Sequence, residues 1–199
     1  RRPPRSTLFP YTTLFRSNYY KMKWDFTMTQ HIFLTGKKHI GKSTLIQKIL
    51  DDYKKTADGF LTVRTKDYLK NQYSVHMYHL KEKEFPNESN LLFLCGKTDE
   101  HTADTFDRLG CNILSMCSDC SLIVMDELGP HEADAALFRK KILNLLDGQT
   151  PILGVLQEPA ESFWPEIVNH PKVEIIIISE DNRNDCSLLN HIQYKISSP

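Results

Sequence analysis

Gly36-Lys37-Lys38-His39-Ile40-Gly41-Lys42-Ser43-Thr44 satisfies the pattern G-x-x-x-x-G-K-[ST] at every constrained position. Just before it, His31–Thr35 (HIFLT) is a short apolar run closed by a glycine, which predicts a buried strand. Just after it, Ser43–Tyr53 carries Leu45, Ile46, Ile49 and Leu50 on one helical stripe. Strand, glycine-rich loop and helix together form a cradle for phosphate. Gly36 and Gly41 let the backbone curl so that successive N–H groups point inward at an anion. The helix that follows adds the positive end of its dipole. Lys42 is placed to reach the β- and γ-phosphates of a nucleotide, and the Ser43 hydroxyl to ligate Mg²⁺. Thr44 is expected to cap the helix or touch a phosphate. Lys37, Lys38 and His39 read as solvated loop residues.

A second chemical feature lies about 80 residues downstream. Ser121–Met125 (SLIVM) is a buried strand by its apolar run, and Asp126 and Glu127 follow at its end. Open α/β sheets bind ligands at the carboxyl ends of their strands. Asp126 is therefore the candidate Mg²⁺ holder, through a water, and Glu127 the candidate that orients or deprotonates an attacking water. Without the phosphate loop, the same pair would read as an acidic strand end or helix cap.

Outward from these two points, strand and helix patterns alternate. Phe60–Arg64, Tyr73–Leu80, Leu91–Cys95, Pro151–Leu156 and Val173–Ile178 read as further strands, the second and third of these as an antiparallel pair. Helices are expected over Thr102–Met116, with Gly110 as an interruption, over Glu132–Leu146, and near 161–168 and 185–196. The prediction is an α/β fold of the P-loop NTPase type. It is a three-layer sandwich with a mostly parallel sheet, helices on both faces and a small antiparallel β insertion at about 60–95.

Composition narrows the function classes. The 199 residues are 40% hydrophobic and 25% charged, enough for one ordinary core and too apolar for wholesale disorder. Residues 1–17 hold four arginines, three prolines and no acid, and resemble translated adapter sequence. They are read as a disordered extension outside the fold, with Met22 and Met28 as candidate native starts. The whole chain has 25 basic and 25 acidic residues; without those four arginines 18–199 carries a net charge of −4. That balance argues against nucleic-acid binding through bulk positive charge. No apolar run reaches the ~20 residues of a membrane span. Five cysteines suit a reducing compartment, so a cytoplasmic location is expected.

In these features the chain resembles the small nucleoside-triphosphatases first described from hyperthermophiles, whose relatives include a human cancer-related nucleoside-triphosphatase. The resemblance spans roughly residues 30–190. It rests on the phosphate loop Gly36–Thr44 and on Gly59-Phe60-Leu61-Thr62, similar to a G-F-x-T segment entering a β-rich insertion. It rests also on Asp126-Glu127-Leu128-Gly129 with Glu132, Phe138 and Arg139, and on Asn182-Arg183 after the last strand. Two positions depart: Pro130 stands where the family usually has Lys, and Asp181 where it often has Glu. The resemblance implies slow, Mg²⁺-dependent hydrolysis of nucleoside triphosphates to diphosphates with broad base tolerance. It also implies that Glu127 prepares the water, that Lys42 neutralises developing charge and that Arg183 sits near the base or ribose. For Arg139 it offers an internal arginine finger, with an exposed helix residue as the other reading.

Two rival functions share the loop. A small-molecule or nucleotide kinase needs an acceptor pocket and usually an Arg-bearing lid, and residues 157–172 contain no Arg. A regulatory nucleotide-binding module would use the 60–95 insertion as a partner surface. Cys117 and Cys120 lack the second pair a zinc ribbon needs and read as ordinary thiols. His76 and His79, three apart on a strand, are expected on opposite faces. Phe163-Trp164-Pro165 reads as a packing cluster.

Overall fold

The structure, a computed structural model, describes residues 30–82, 85–97 and 101–197. The extension 1–17 and the candidate starts Met22 and Met28 lie outside the described residues. Strand β1 is His31–Thr35, buried along its whole length. Helix α1, Lys42–Asp52, turns Leu45, Ile46 and Ile49 inward, the stripe its sequence predicts. Three strands follow: β2 (Ala57–Leu69), β3 (Gln72–His79) and β4 (Leu91–Leu94). Helix α2 (Thr102–Met116) leads through a 3₁₀ turn, Cys117–Asp119, to β5 (Leu122–Leu128). The rest is α3 (Ala136–Asp147), β6 (Ile152–Leu156), α4 (Ala160–Phe163), α5 (Pro165–Val168), β7 (Val173–Ile177) and α6 (Cys186–Ser197).

One seven-stranded sheet runs β4-β3-β2-β5-β6-β1-β7. The β2–β5, β5–β6, β6–β1 and β1–β7 pairs are parallel, while β2–β3 and β3–β4 are antiparallel. Side chains alternate across β1: Phe33 enters the core under α2 and α3, and Ile32 and Leu34 enter the core under α1 and α6. Helices thus cover both faces of a mostly parallel sheet, which is the predicted three-layer α/β architecture.

Several elements depart from their predicted bounds or continuity. β2 runs on to Leu69 because β3 pairs with it from Phe60↔His79 to Leu69↔Gln72, with an irregularity between Thr65 and Leu69. α2 is unbroken through Gly110, where a Cβ would stand 2.3 Å from the Phe138 ring, so this glycine permits the close approach of α3. α3 begins at Ala136 and not at Glu132, since the Glu132 carboxylate folds back to accept the Gly129 N–H and closes a turn first. The helix expected near 161–168 splits at Trp164, and Pro165 opens its second turn. His76 and His79 part as expected: His76 Nδ1 meets Asn90 Oδ1 at 2.8 Å, and His79 Nε2 lies 2.7 Å from Asp58 Oδ1.

Candidate active site

The loop between β1 and α1 bends through three left-handed residues, Gly36 (φ 136°), His39 (φ 63°) and Gly41 (φ 106°). Such turns direct successive N–H groups to one side and make an anion-binding nest. A Cβ on Gly36 would lie 2.4 Å from the Ile178 carbonyl oxygen, so the start of the loop packs against the end of β7. Ile40 is buried and anchors the loop to the α1 core. At its centre the Lys42 Nζ donates to the carbonyls of Gly36 (2.6 Å) and Lys37 (3.1 Å). Burial lowers the Lys42 pKa, and the charges of Glu127, Glu158 and Asp126 work in the opposite direction. Gly41 is the N-cap of α1 and no side chain caps it. Thr44 is inside the helix and lines the cavity, so of its two expected roles the cap is ruled out.

β5 carries the acids. It extends to Leu128, so Asp126 and Glu127 stand on the strand and not beyond it. The β5–β6 register slips between Met125 and Leu128, at the two acids. Asp126 is buried, and its Oδ1 accepts from the Ser43 hydroxyl at 3.2 Å. Burial pushes its pKa up to about 6, the Glu127 charge adds to the rise, and the Ser43 hydrogen bond and Lys42 oppose it. Glu127 is half-buried, and its N–H donates to Thr62 Oγ1 at 3.0 Å, which ties the acid to β2. Ser43 and Asp126 offer only oxygen, the donor set of a hard dication, and the buried carboxyl is one that a cation would stabilise in its charged form. The residues present therefore fit Mg²⁺.

Lys42, Ser43 and Glu127 share one cavity of about 690 Å³, whereas Gly36 and Asp126, the latter buried against the Ser43 hydroxyl, are not part of its wall. Gly41, Lys42, Ser43, Thr44 and Glu127 line it, as do Lys38 and His39, so the latter two are exposed loop residues that face the site. Sequence reasoning gave no role there to Arg64, His131 or Gln157. It placed Thr62 and Glu132 only within motifs. Glu132 is buried at the cavity wall, and burial pushes its pKa up to about 7 against the hydrogen bond from Gly129.

Two expected positions lie elsewhere. Arg183 is exposed on the turn after β7, with its N–H on the Ser179 carbonyl, and is not part of the cavity wall. Arg139 fits neither reading offered for it. Its guanidinium pairs with Glu166, donates to the carbonyls of Ala133 (3.2 Å) and Phe163 (2.9 Å), and lies over the Trp164 ring. Those contacts join α3 to α4 and α5. Pro130 leaves its loop without a positive charge. Cys117 and Cys120 are buried thiols that donate to the carbonyls of Ile113 and Cys117.

A phosphate nest between β1 and α1, with a buried acid set against its serine on a strand of the same sheet edge, defines a P-loop nucleoside-triphosphate hydrolase. The chain belongs to the NTPase family, whose model matches residues 31–193. It is 27% identical to the nucleoside-triphosphatase THEP1 of Thermotoga maritima over 170 residues, 81% of this chain and 92% of that protein. A THEP1 from Methanosarcina barkeri is 27% identical over 81 residues, 41% of this chain and 46% of that one. In fold, the chain is similar to the crystal structure of THEP1 from the hyperthermophile Aquifex aeolicus. The TM-score is 0.67 at 19% identity, covering 84% of this chain and 99% of the other. Among the described residues no helix is long and apolar enough to cross a membrane.

Proposed function

We propose that the chain hydrolyses nucleoside 5′-triphosphates to diphosphate and phosphate in a slow, Mg²⁺-dependent reaction that tolerates different bases. The observation that carries this reading is one convergence. The Lys42 ammonium sits in the loop nest, Ser43 Oγ lies 3.2 Å from Asp126 Oδ1, and Glu127 lines the same cavity. In this reading the loop amides wrap the β-phosphate, and Lys42 exchanges its two carbonyl partners for β- and γ-phosphate oxygens. Ser43 and Asp126 hold Mg²⁺, which when bound spreads the negative charge of the phosphates. Glu127 holds the water that meets the γ-phosphorus and takes its proton. The protein's contribution is mostly positioning and charge, as phosphoryl transfer requires.

Slowness is what the family resemblance implies; Pro130 supplies no cation on the loop after β5, which bears on the rate, while Lys38 lines the cavity. Base tolerance is what the family resemblance implies; Arg183, which the resemblance sets near the base or ribose, stands on an exposed turn off the cavity wall. Free, partly buried thiols suit a reducing compartment such as the cytoplasm. Phosphate release from ATP, GTP, CTP and UTP, with EDTA and then with excess Mg²⁺, tests the proposal. All four should be cleaved at comparable rates, with activity lost in EDTA and restored by Mg²⁺. Absence of phosphate from every nucleotide, or full activity in EDTA, would contradict it.

A further inference from the structure

Cys117 and Cys120 take no part in the site at the phosphate loop, and they meet at the other end of the sheet. Cys117 opens the 3₁₀ turn that follows α2, and Cys120 caps it, just ahead of the start of β5 at Leu122. Positions three apart in a 3₁₀ turn eclipse, about 6 Å apart along its axis. A disulfide spans Cα atoms roughly 4.4–6.8 Å apart, so the turn already holds the pair at bridging distance. The side chains agree. The two thiols are hydrogen-bonded to each other, and Cys120 Sγ lies 3.2 Å from the Cys117 carbonyl oxygen. Both residues are buried, at 4% and 9% exposure, but Ser118 and Asp119 between them are exposed, so the pair lies just inside the surface. The surroundings make the two sulfurs unequal. The Cys117 hydrogen bond lowers the Cys120 pKa, helped by a backbone hydrogen bond at Leu122 and by the Lys81 charge, against burial and the Asp58 charge. The same thiol–thiol hydrogen bond, and then burial, raise the pKa of Cys117. Asp58 stands opposite Ile123 at the foot of β5. Lys81 Nζ is 2.6 Å from its Oδ2 and His79 Nε2 is 2.7 Å from its Oδ1, so two basic groups offset the charge that would hold back a thiolate. One sulfur is prepared to attack and the other to follow.

We propose that Cys117 and Cys120 form a redox-active dithiol, a modification site that a small hydroperoxide closes to a disulfide and a thiol reductant reopens. The oxidant is hydrogen peroxide or an alkyl hydroperoxide of similar size, small enough to reach a sulfur just inside the surface. In the first step the Cys120 thiolate bonds to one peroxide oxygen, and the O–O bond breaks. Cys120 becomes a sulfenic acid, and hydroxide leaves. In the second step the Cys117 thiol gives its proton to that hydroxide, and its sulfur bonds to Cys120 Sγ. The S–O bond breaks, and the departing oxygen leaves as water after taking up the proton that Cys120 lost at the outset. Two thiols and one peroxide give one disulfide and two waters; the sulfurs lose two electrons and the peroxide gains them. A dithiol reductant reverses the change by exchange through a mixed disulfide. The inference uses no part of the nucleotide site. Asp126 is six residues along an extended strand from Cys120, about 20 Å away, so the bond is read at the sulfurs and not through catalysis.

The test exposes the full chain, reduced and then freed of reductant, to hydrogen peroxide. Samples are quenched at intervals in urea with iodoacetamide and mapped by peptide mass spectrometry. Cys186, the exposed cysteine of the described residues, is the internal reference. The expected result is a Cys117–Cys120 link, with a loss of about 2 Da, that forms at least about tenfold faster than Cys186 is oxidised and disappears in dithiothreitol. In Cys117→Ser, dimedone should trap Cys120 as its sulfenic acid. In Cys120→Ser, Cys117 should be trapped at least about tenfold more slowly. The wild-type arm does not depend on either variant folding. Oxidation of Cys186 ahead of the pair, a link between other cysteines, or two thiols still open to alkylation after peroxide overturns the proposal. Equal trapping in the two variants overturns the assigned order of attack, and with it the step as written.

Discussion

Glu127 combines two properties that its role requires: a backbone fixed by Thr62 and a half-buried side chain at the cavity wall. Glu127→Gln keeps size and hydrogen bonding but removes the proton acceptor. Turnover should fall by about 10²–10⁴ with nucleotide affinity retained, as read from phosphate release and a binding titration; unchanged turnover would place the water elsewhere. Glu132 gives a prediction about stability. Its folded pKa, about 7, is raised above the ordinary 4.5 by burial, so the folded state binds more protons than the unfolded state between those values. Stability therefore declines as pH rises through that window. Glu132→Gln keeps an acceptor for Gly129 and removes the titration, so its Tm should gain on that of the wild type between pH 5 and pH 8. An equal Tm difference at both pH values would contradict this. At this scale the sequence is legible where function is local. Gly36 to Thr44 and Asp126-Glu127 are read from short strings whose spacing is itself the chemistry. Arg64 is not, because only the pairing of β2 with β3 and β5 brings it to the site. Arg139 misleads for the same reason: its partners Glu166 and Phe163 are more than twenty residues away.

The elements that hold the site are joined by a few buried polar contacts. Trp164, fully buried at the break between α4 and α5, donates Nε1–H to the Gly129 carbonyl at 3.0 Å and carries the Arg139 guanidinium on its ring. Through that bond the loop after β5 is braced from behind. Trp164→Phe leaves the Gly129 carbonyl without its donor and opens a small void, so urea denaturation should show a loss of about 1–3 kcal/mol. A wild-type midpoint and slope would show that the brace contributes nothing. The elements were legible by kind more than by extent. Apolar runs mark β1, β5 and β6 because both faces of those strands are buried. The apolar pattern marks only 60–64 of β2, since its outer half is polar and exists through its partner. The start of α3 is not legible, because Glu132 looks helical in sequence and is used instead to close the turn at Gly129.

Across the whole molecule, the parallel sheet supplies the phosphate nest and the acids, and the antiparallel strands add the far wall of the cavity. Both the P-loop architecture and the β insertion follow from the alternation of patterns along the chain, whereas the shared cavity follows from strand order, which no local pattern specifies. A ligand that spans the loop, β5 and the insertion stabilises all three together. With a non-hydrolysable ATP analogue and Mg²⁺ at a hundred times its Kd, stability should rise by about 2.7 kcal/mol and Tm by roughly 5–10 °C. No shift would mean that the cavity does not take nucleotide. The most direct measurement of the central claim is single-turnover release of labelled phosphate from [γ-³²P]ATP by the wild type and by Lys42→Ala under the same conditions. The account requires release by the wild type and only the background rate in the variant, because the β- and γ-phosphates lose the buried Lys42 ammonium placed to meet them. Equal release by the two proteins would contradict it.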